Sequence, residues 1–506
     1  MTHLIVLPIL LPAFVAAVIL LFRRHTLRVG RTVSVASTAT LLVAAIYFVA
    51  SASDGTVTSY ALGNWPAPFG IVLVLDRLSA LMLLLTGVLS LLVLWHVIAT
   101  GLDRRGWHFH SLFHFQLLGL NGAFLTGDLF NLFVFFEVLL IASYGLMLHG
   151  QGAERLRAGV QYVIINLVGS TLFLVAIGIL YGVTGTLNMA DMAVRVAALP
   201  PQDQGLLRAA AALLFSVFAL KAALLPLHLW LPRTYANTSP PVAALFAIMT
   251  KVGVYSIIRV STLVFGADAG TDGWAPIGWM LPAALLTVVI GFAGLIAARG
   301  LRELAAFALI GSTGTLLVSV SLFDEAALAA ALYYLPHTTL AAASLFLITD
   351  SLQHRRIENG DSLVPGPRFI ASEPLSVLFL LAALAIVGLP PLSGFVGKLL
   401  ILEAAQPLAS APWVWATILV TTFVGIVGFA RAGSTLFWKS AALRDGPLPS
   451  ARWQHNADLL PATAILLLLA MLTVLAGPAL GYGEAAAAQL FNPVDYIEAV
   501  LGARAR

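Results

Sequence analysis

The sequence predicts an all-α polytopic membrane protein with about fourteen transmembrane helices, on three observations. Of its 506 residues 60% are hydrophobic and only 10% charged, against roughly 25% charged in an ordinary soluble domain. A soluble chain of that composition lacks the polar groups to cover its surface, so lipid is the solvent over much of it. Mostly apolar stretches of about 20 residues follow one another along the chain, each long enough to cross the hydrocarbon. Basic residues gather in every second connection, the pattern that orientation by cytoplasmic positive charge produces.

The expected spans fall near residues 2–22, 32–51, 74–98, 109–125, 129–148, 158–184 and 206–231 in the first half. The second half gives 240–262, 275–298, 302–321, 326–349, 373–402, 413–438 and 459–480. Met1 to Phe22 lacks the basic start and small-residue cleavage site of a signal peptide, so it is expected to remain as the first span. With the N-terminus outside, the inner connections hold Arg23, Arg24, Arg28 and Arg31, then Arg104 and Arg105, then Arg155 and Arg157. Arg233, Arg299, Arg302, Arg355, Arg356, Arg368, Lys439, Arg444 and Arg452 continue the series. The outer connections carry mainly acids: Asp54, Asp128, Asp191, Asp203, Asp268, Asp272, Asp324 and Glu325, with Arg195 as the exception. Losing one span would scramble the alternation downstream, which places both termini outside the cytoplasm.

Composition also excludes. The chain has no cysteine, so disulfides, thiolate metal sites and thiol redox chemistry are ruled out. The net charge of +4 reflects positive-inside orientation rather than nucleic-acid binding, and no phosphate-binding glycine loop is present. The longest polar connection, around Gln353 to Glu373, leaves no room for a soluble domain. Partners are therefore expected among membrane proteins, with no nucleic acid, cofactor or metal.

The lysines point to function. Among 27 basic residues only four are lysine, and three of these, Lys221, Lys251 and Lys398, sit inside apolar segments. A charge at membrane depth costs at least about 2.5–3.5 kcal/mol. Arginine cannot shed its proton there, whereas a buried lysine titrates. Lysine at these sites and arginine elsewhere is what reversible protonation requires. The alternative is that each lysine snorkels to an interface or pairs structurally with a carboxylate. Glu137, in NLFVFFEVLLIASYG, is the candidate counterion, or else a neutral hydrogen-bonded residue.

Prolines add to the pattern. Pro226 follows Lys221 by five residues, and Pro390–Pro391 precede Lys398. A proline in a span breaks the helix, which is tolerated where the freed groups line a polar cavity. ALKAALLPLH and AIVGLPPLSG also look alike and lie five spans apart, an odd offset that gives opposite orientations as in inverted-repeat transporters. His337, beside Pro336, is open to two readings, structural hydrogen-bonder or proton carrier, and its place between Lys251 and Lys398 favours the carrier. His228 faces the same choice nearer a helix end. Asp76 and Arg77 open the third span, where they would pair with each other at the interface.

At these residues the sequence resembles the antiporter-like subunits shared by respiratory complex I, membrane-bound hydrogenases and Mrp-type multisubunit Na+/H+ antiporters, over about residues 70–440. TGDLFNLFVFFEVLLIASYGLMLHG (126–150) and LPLHLWLPRTYANTSPPVAALFAIMTKVGVYSIIRV (225–260) are similar to the D subunits of the Mrp type. The resemblance implies fourteen helices with two inverted five-helix repeats containing broken helices. Residues 1–105 would form helices 1–3, 106–262 the first repeat, 263–440 the second, and 441–506 the last helix and tail. It further implies that Glu137 tunes Lys221 and that a proton passes along Lys251 and His337 toward Lys398; His228 and Asp76 are accessory candidates by their own placement in the chain. Other membrane subunits of the complex, H+ and Na+ are the implied partners. Ala342 stands where the family often has lysine, Arg233 where an acid is common, and LRELAAFALIGSTG lacks the usual tyrosine. The implied activity is proton movement in a monovalent cation/proton antiporter. Two rivals are a redox-driven pump using the same path, and a structural subunit whose axis no longer conducts.

Overall fold

The computed structural model describes residues 2–21, 27–200, 202–266, 278–442 and 456–502. Helices α1 (Leu7–Leu21) and α2 (Leu27–Ala52) lead to an antiparallel hairpin of β1 (Thr58–Ala61) and β2 (Val72–Leu75), with Thr58 opposite Leu75. Then come α3 (Arg77–Thr100), α4 (Phe109–Leu125), α5 (Leu129–Leu148), α6 (Ala153–Thr184) and the short α7 (Met189–Ala197). α8 (Gln204–Lys221) and α9 (Trp230–Asn237) are the halves of a broken segment, and α10 (Pro240–Phe246) and α11 (Met249–Leu263) are separated only by Ala247 and Ile248. α12 (Met280–Ala297), α13 (Leu301–Val320) and α14 (Glu325–Arg355) precede a second broken pair, α15 (Ser372–Val387) and α16 (Ser393–Ala405). α17 (Ala411–Gly433) runs through a π-helical turn into α18 (Lys439–Ala442), and α19 (Leu460–Val474), α20 (Ala476–Phe491) and α21 (Val494–Leu501) follow.

Among the described residues twelve helices are long and apolar enough to span a membrane. Two further expected spans correspond to α4, with 17 residues, and to the broken pair α15–α16, with 16 and 13. The last expected span, 459–480, is interrupted: the helix breaks at Leu475, and α20 packs across α14, where Gly483 approaches the Ala329 carbonyl. Of the charges used for orientation, Arg23, Arg24, Asp268, Asp272, Arg444 and Arg452 lie outside the described residues. Burial separates two kinds of helix. α10, α11, α13 and α14 are almost wholly buried, whereas α6 and α17 present Leu167, Leu172, Trp413 and Phe423 outward, as lipid-facing helices do.

One buried ion pair ties the bundle together near the hairpin. Asp76 caps α3 by accepting from the Ser79 N–H at 2.9 Å. Its carboxylate also receives both guanidinium nitrogens of Arg259 on α11, at 2.5 and 2.8 Å, and neither residue is more than 2% exposed. The rings of Tyr255 and Tyr496 lie 5.5 and 5.2 Å from that guanidinium. The expected Asp76–Arg77 pairing is thus corrected. The cap turns the Asp76 carboxylate inward, while Arg77 donates to the carbonyls of Ser53 and Ala485.

Asp76→Ala leaves a buried guanidinium unpaired, at a cost of about 3–5 kcal/mol. Thermal unfolding of the detergent-solubilised chain is expected to show a clear fall for that variant, with much of it recovered when Arg259→Met is added.

Candidate functional site

Two helices end inside the bundle, and the ends are built alike. α8 closes with Ala223 in the left-handed region (φ 57°) and a bond from Leu224 N–H back to Ala219 O. α15 closes with Gly388 (φ 77°) and a bond from Leu389 N–H to Leu384 O. Both are six-to-one closures of the Schellman kind, which satisfy some orphan carbonyls and leave others. At α8 the Leu220 carbonyl takes the indole N–H of Trp230 at 3.1 Å. At α15 the Val387 carbonyl takes Lys398 Nζ at 2.8 Å, and the Ala385 carbonyl takes His337 Nε2 at 3.1 Å.

These ends carry the negative pole of the helix dipole, which favours a cation. Lys221 is the last residue of α8, and Lys398 reaches the end of α15 from α16. Lys221 Nζ donates to Asn166 Oδ1 on α6 at 2.9 Å and lies 5.9 Å from the Phe136 ring. Lys398 Nζ also donates to Thr422 Oγ1 at 2.8 Å and lies 5.3 Å from the Phe292 ring. Lys251 stands at the opposite kind of end, in the first turn of α11, where the dipole opposes a cation; its Nζ donates to Thr313 Oγ1 on α13 at 3.2 Å.

Glu137 on α5 is half-buried and accepts from the Ser170 hydroxyl on α6. Among the described residues it forms no direct ion pair with Lys221. Asn166 and Ser170, one helical turn apart on α6, hold the two groups instead. Close packing joins the rest. A Cβ on Gly253 of α11 would lie 2.5 Å from Ala222 N and 2.8 Å from Phe218 O, so only glycine lets α11 meet the end of α8. A Cβ on Gly394 of α16 would strike the Ala385 carbonyl oxygen and lie 2.7 Å from His337 Nε2. His337, 1% exposed, is within electrostatic reach of both Lys251 and Lys398. A carbonyl only accepts, so His337 Nε2 bears the proton in the neutral ring and Nδ1 takes the Ser393 hydroxyl at 2.9 Å.

Glu137, Lys221, Lys251, His337 and Lys398 therefore stand on α5, α8, α11, α14 and α16, which pack into one row with α6 between α5 and α8 and α13 between α11 and α14. Of the accessory residues, His228 lies in the α8–α9 break with Nδ1 buried and unpartnered among the described residues, and Asp76 belongs to the Arg259 pair. Ala342 is buried on α14 with no polar atom in its side chain. Sequence reasoning missed Asn166, Ser170, Thr313, Ser393 and Thr422. The signal for the first two was two polar residues four apart in the apolar INLVGST.

Asn166→Leu removes the hydrogen-bond acceptor that Lys221 has among the described residues, a bond of the charged kind worth about 1.5–3 kcal/mol. A double-mutant cycle with Lys221→Met, read by thermal unfolding, is expected to show strong coupling between the two positions.

Known proteins of similar sequence and structure agree with one another. The family described as NADH:quinone oxidoreductase/Mrp antiporter, TM, matches residues 126–425. The chain is 39% identical to the probable K+/H+ antiporter D subunit of Rhizobium meliloti, covering 99% of this chain and 98% of that one. It is 36% identical to the Na+/H+ antiporter D subunit of Alkalihalophilus pseudofirmus, covering 99% and 100%. A chain of the Mrp complex from Dietzia sp. DQ12-45-1b superposes with TM-score 0.88 at 30% identity, covering 99% and 100%.

Proposed function

The chain belongs to the NADH:quinone oxidoreductase/Mrp antiporter family, among its D subunits, and on that premise we propose that it carries protons along the row Glu137, Lys221, Lys251, His337 and Lys398. It is a multi-pass membrane subunit of a multisubunit cation/proton antiporter, a transporter component rather than an enzyme. The observation that supports the proton row most is the seating of Lys221 and Lys398. Each is buried at the C-terminal end of a broken helix, among hydroxyl, amide and carbonyl partners and, among the described residues, without a carboxylate within bonding distance. A lysine held so can gain and lose a proton by small changes in its surroundings, whereas one locked to a carboxylate stays charged.

Residues 106–262 and 263–440 are taken as two inverted repeats within a fourteen-helix arrangement, flanked by 1–105 and 441–506. The matched closures of α8 and α15 support that division. Both termini are kept outside the cytoplasm in this reading, which the gathering of Arg105, Arg155 and Arg302 around one cavity supports. The exchanged ion is monovalent. Na+ is the first expectation, and the Rhizobium meliloti relative, named for K+, makes K+ the second. Exchange is preferred over a redox-driven pump because relatives matching the whole length of the chain are named antiporter subunits.

In everted vesicles holding the assembled complex, Lys221→Ala and Glu137→Ala are expected to abolish Na+- or K+-dependent proton exchange while co-purification of the subunits persists. Lys221→Arg separates a relay from a structural charge. Arginine keeps the charge but cannot release a proton, so exchange is expected to be lost there too, and full activity in Lys221→Arg would overturn the proton row.

A further inference from the structure

A second group of titratable residues lies at the arginine-rich end, away from the row. Asp350 on α14 is 3% exposed and His96 on α3 fully buried, yet Asp350 Oδ2 and His96 Nε2 are 3.0 Å apart. Gln353 Nε2 donates to the other carboxylate oxygen at 2.8 Å. His354, one turn further along α14, bonds the Asp350 carbonyl through Nδ1 at 2.7 Å and meets Arg105 through Nε2 at 3.3 Å. Asp350, Gln353 and His354 line a cavity of about 340 Å³ together with Arg105, Arg155, Arg302 and Asp361, and His96 stands behind Asp350. Ser239, whose hydroxyl is buried without a hydrogen-bond partner among the described residues, and Pro240 form part of its wall.

We propose that this cavity is the mouth by which protons reach the chain from its arginine-rich end, and that Asp350 in its lining, backed by His96, takes them up. A carboxylate facing a neutral imidazole carries one negative charge in a place where charge is costly. One added proton, taken by His96 Nδ1 or by the carboxylate itself, cancels that charge over the pair, so uptake relieves burial instead of adding to it. His96 Nε2 donates to the carboxylate, and Nδ1, buried with no partner among the described residues, remains an open acceptor.

The charges around the pair come from several elements. From the other elements Arg105, Arg155 and Arg302 face the cavity, with Asp361 bonded to Arg302 at 2.9 Å and His354 beside Arg105. Asp458 pairs with Arg355 at 2.6 Å and lies within electrostatic reach of His96. The guanidinium charges oppose a free cation there, and Asp350 in the lining is the acid that offers a proton a place to bind. Two helices lead inward from there. α14 carries His337 thirteen residues before Asp350, about 20 Å along the axis, and the segment opening at Pro240 carries Lys251 eleven residues on, about 16 Å.

The proposal rests on the proton row above, and its test separates the two. In everted vesicles, Asp350→Asn and His96→Gln are each expected to slow cation-driven proton exchange and to displace its pH profile by about half a unit or more. The double variant should go no further than either single one. A pair that merely ties α3 to α14 would change assembly and leave the pH profile of assembled complexes unmoved. The chain has no cysteine, so Gln353→Cys adds a unique probe on it. A membrane-impermeant maleimide applied from the arginine-rich side is expected to label it and to slow exchange relative to the unlabelled variant. Absence of labelling, labelling without slowing, or an unmoved profile in both single variants overturns this mouth. If those arms fail while Lys221→Arg still abolishes exchange, the row stands and this proposal alone falls.

Discussion

Inside hydrocarbon every backbone polar group needs a partner, and the rest of this molecule is arranged around the places where two helices stop short of that rule. α8 and α15 end in the bundle, so their last carbonyls must be met by side chains. Trp230, Lys398 and His337 meet them. At α15 satisfying the backbone and seating the ionisable groups are thus one event, whereas at α8 Trp230 meets the carbonyl and Lys221 turns to Asn166. A lysine ammonium is welcome at a helix C-terminus, and the helix end is stable only because a donor stands there.

Such an arrangement tolerates little slack. Gly253 and Gly394 hold α11 and α16 against the broken ends at distances no larger residue permits. Gly388 takes a left-handed conformation that suits glycine, and Ala223 takes the same conformation at the equivalent turn. The acid is held separately. Glu137 and Lys221 meet through Ser170 and Asn166 on α6, so the charge on one is felt by the other without the two being locked together. The Asp76–Arg259 pair does the opposite. It is bidentate and buried, and Arg259 cannot deprotonate, which makes it a fixed strut between α3 and α11.

Much of this was legible in the chain itself. Composition and the arginine alternation determined a polytopic helical membrane protein, because lipid leaves so few solutions for the backbone. The choice of lysine over arginine in three apolar segments singled out Lys221, Lys251 and Lys398, because only lysine can lose its proton at depth. Pro226 and Pro390–Pro391 marked both helix breaks. Tertiary structure alone decided what each charge meets. Nothing local says that Asp76 faces Arg259, 183 residues away, rather than Arg77 beside it, or that His96 faces Asp350. Nor does local pattern reveal that Asn166 and Ser170 stand between Glu137 and Lys221, or that the chain turns into α20 at Leu475. An amino-acid pattern fixes periodicity and the cost of burying a group, whereas the partner that offsets that cost is brought by the packing of helices distant in sequence.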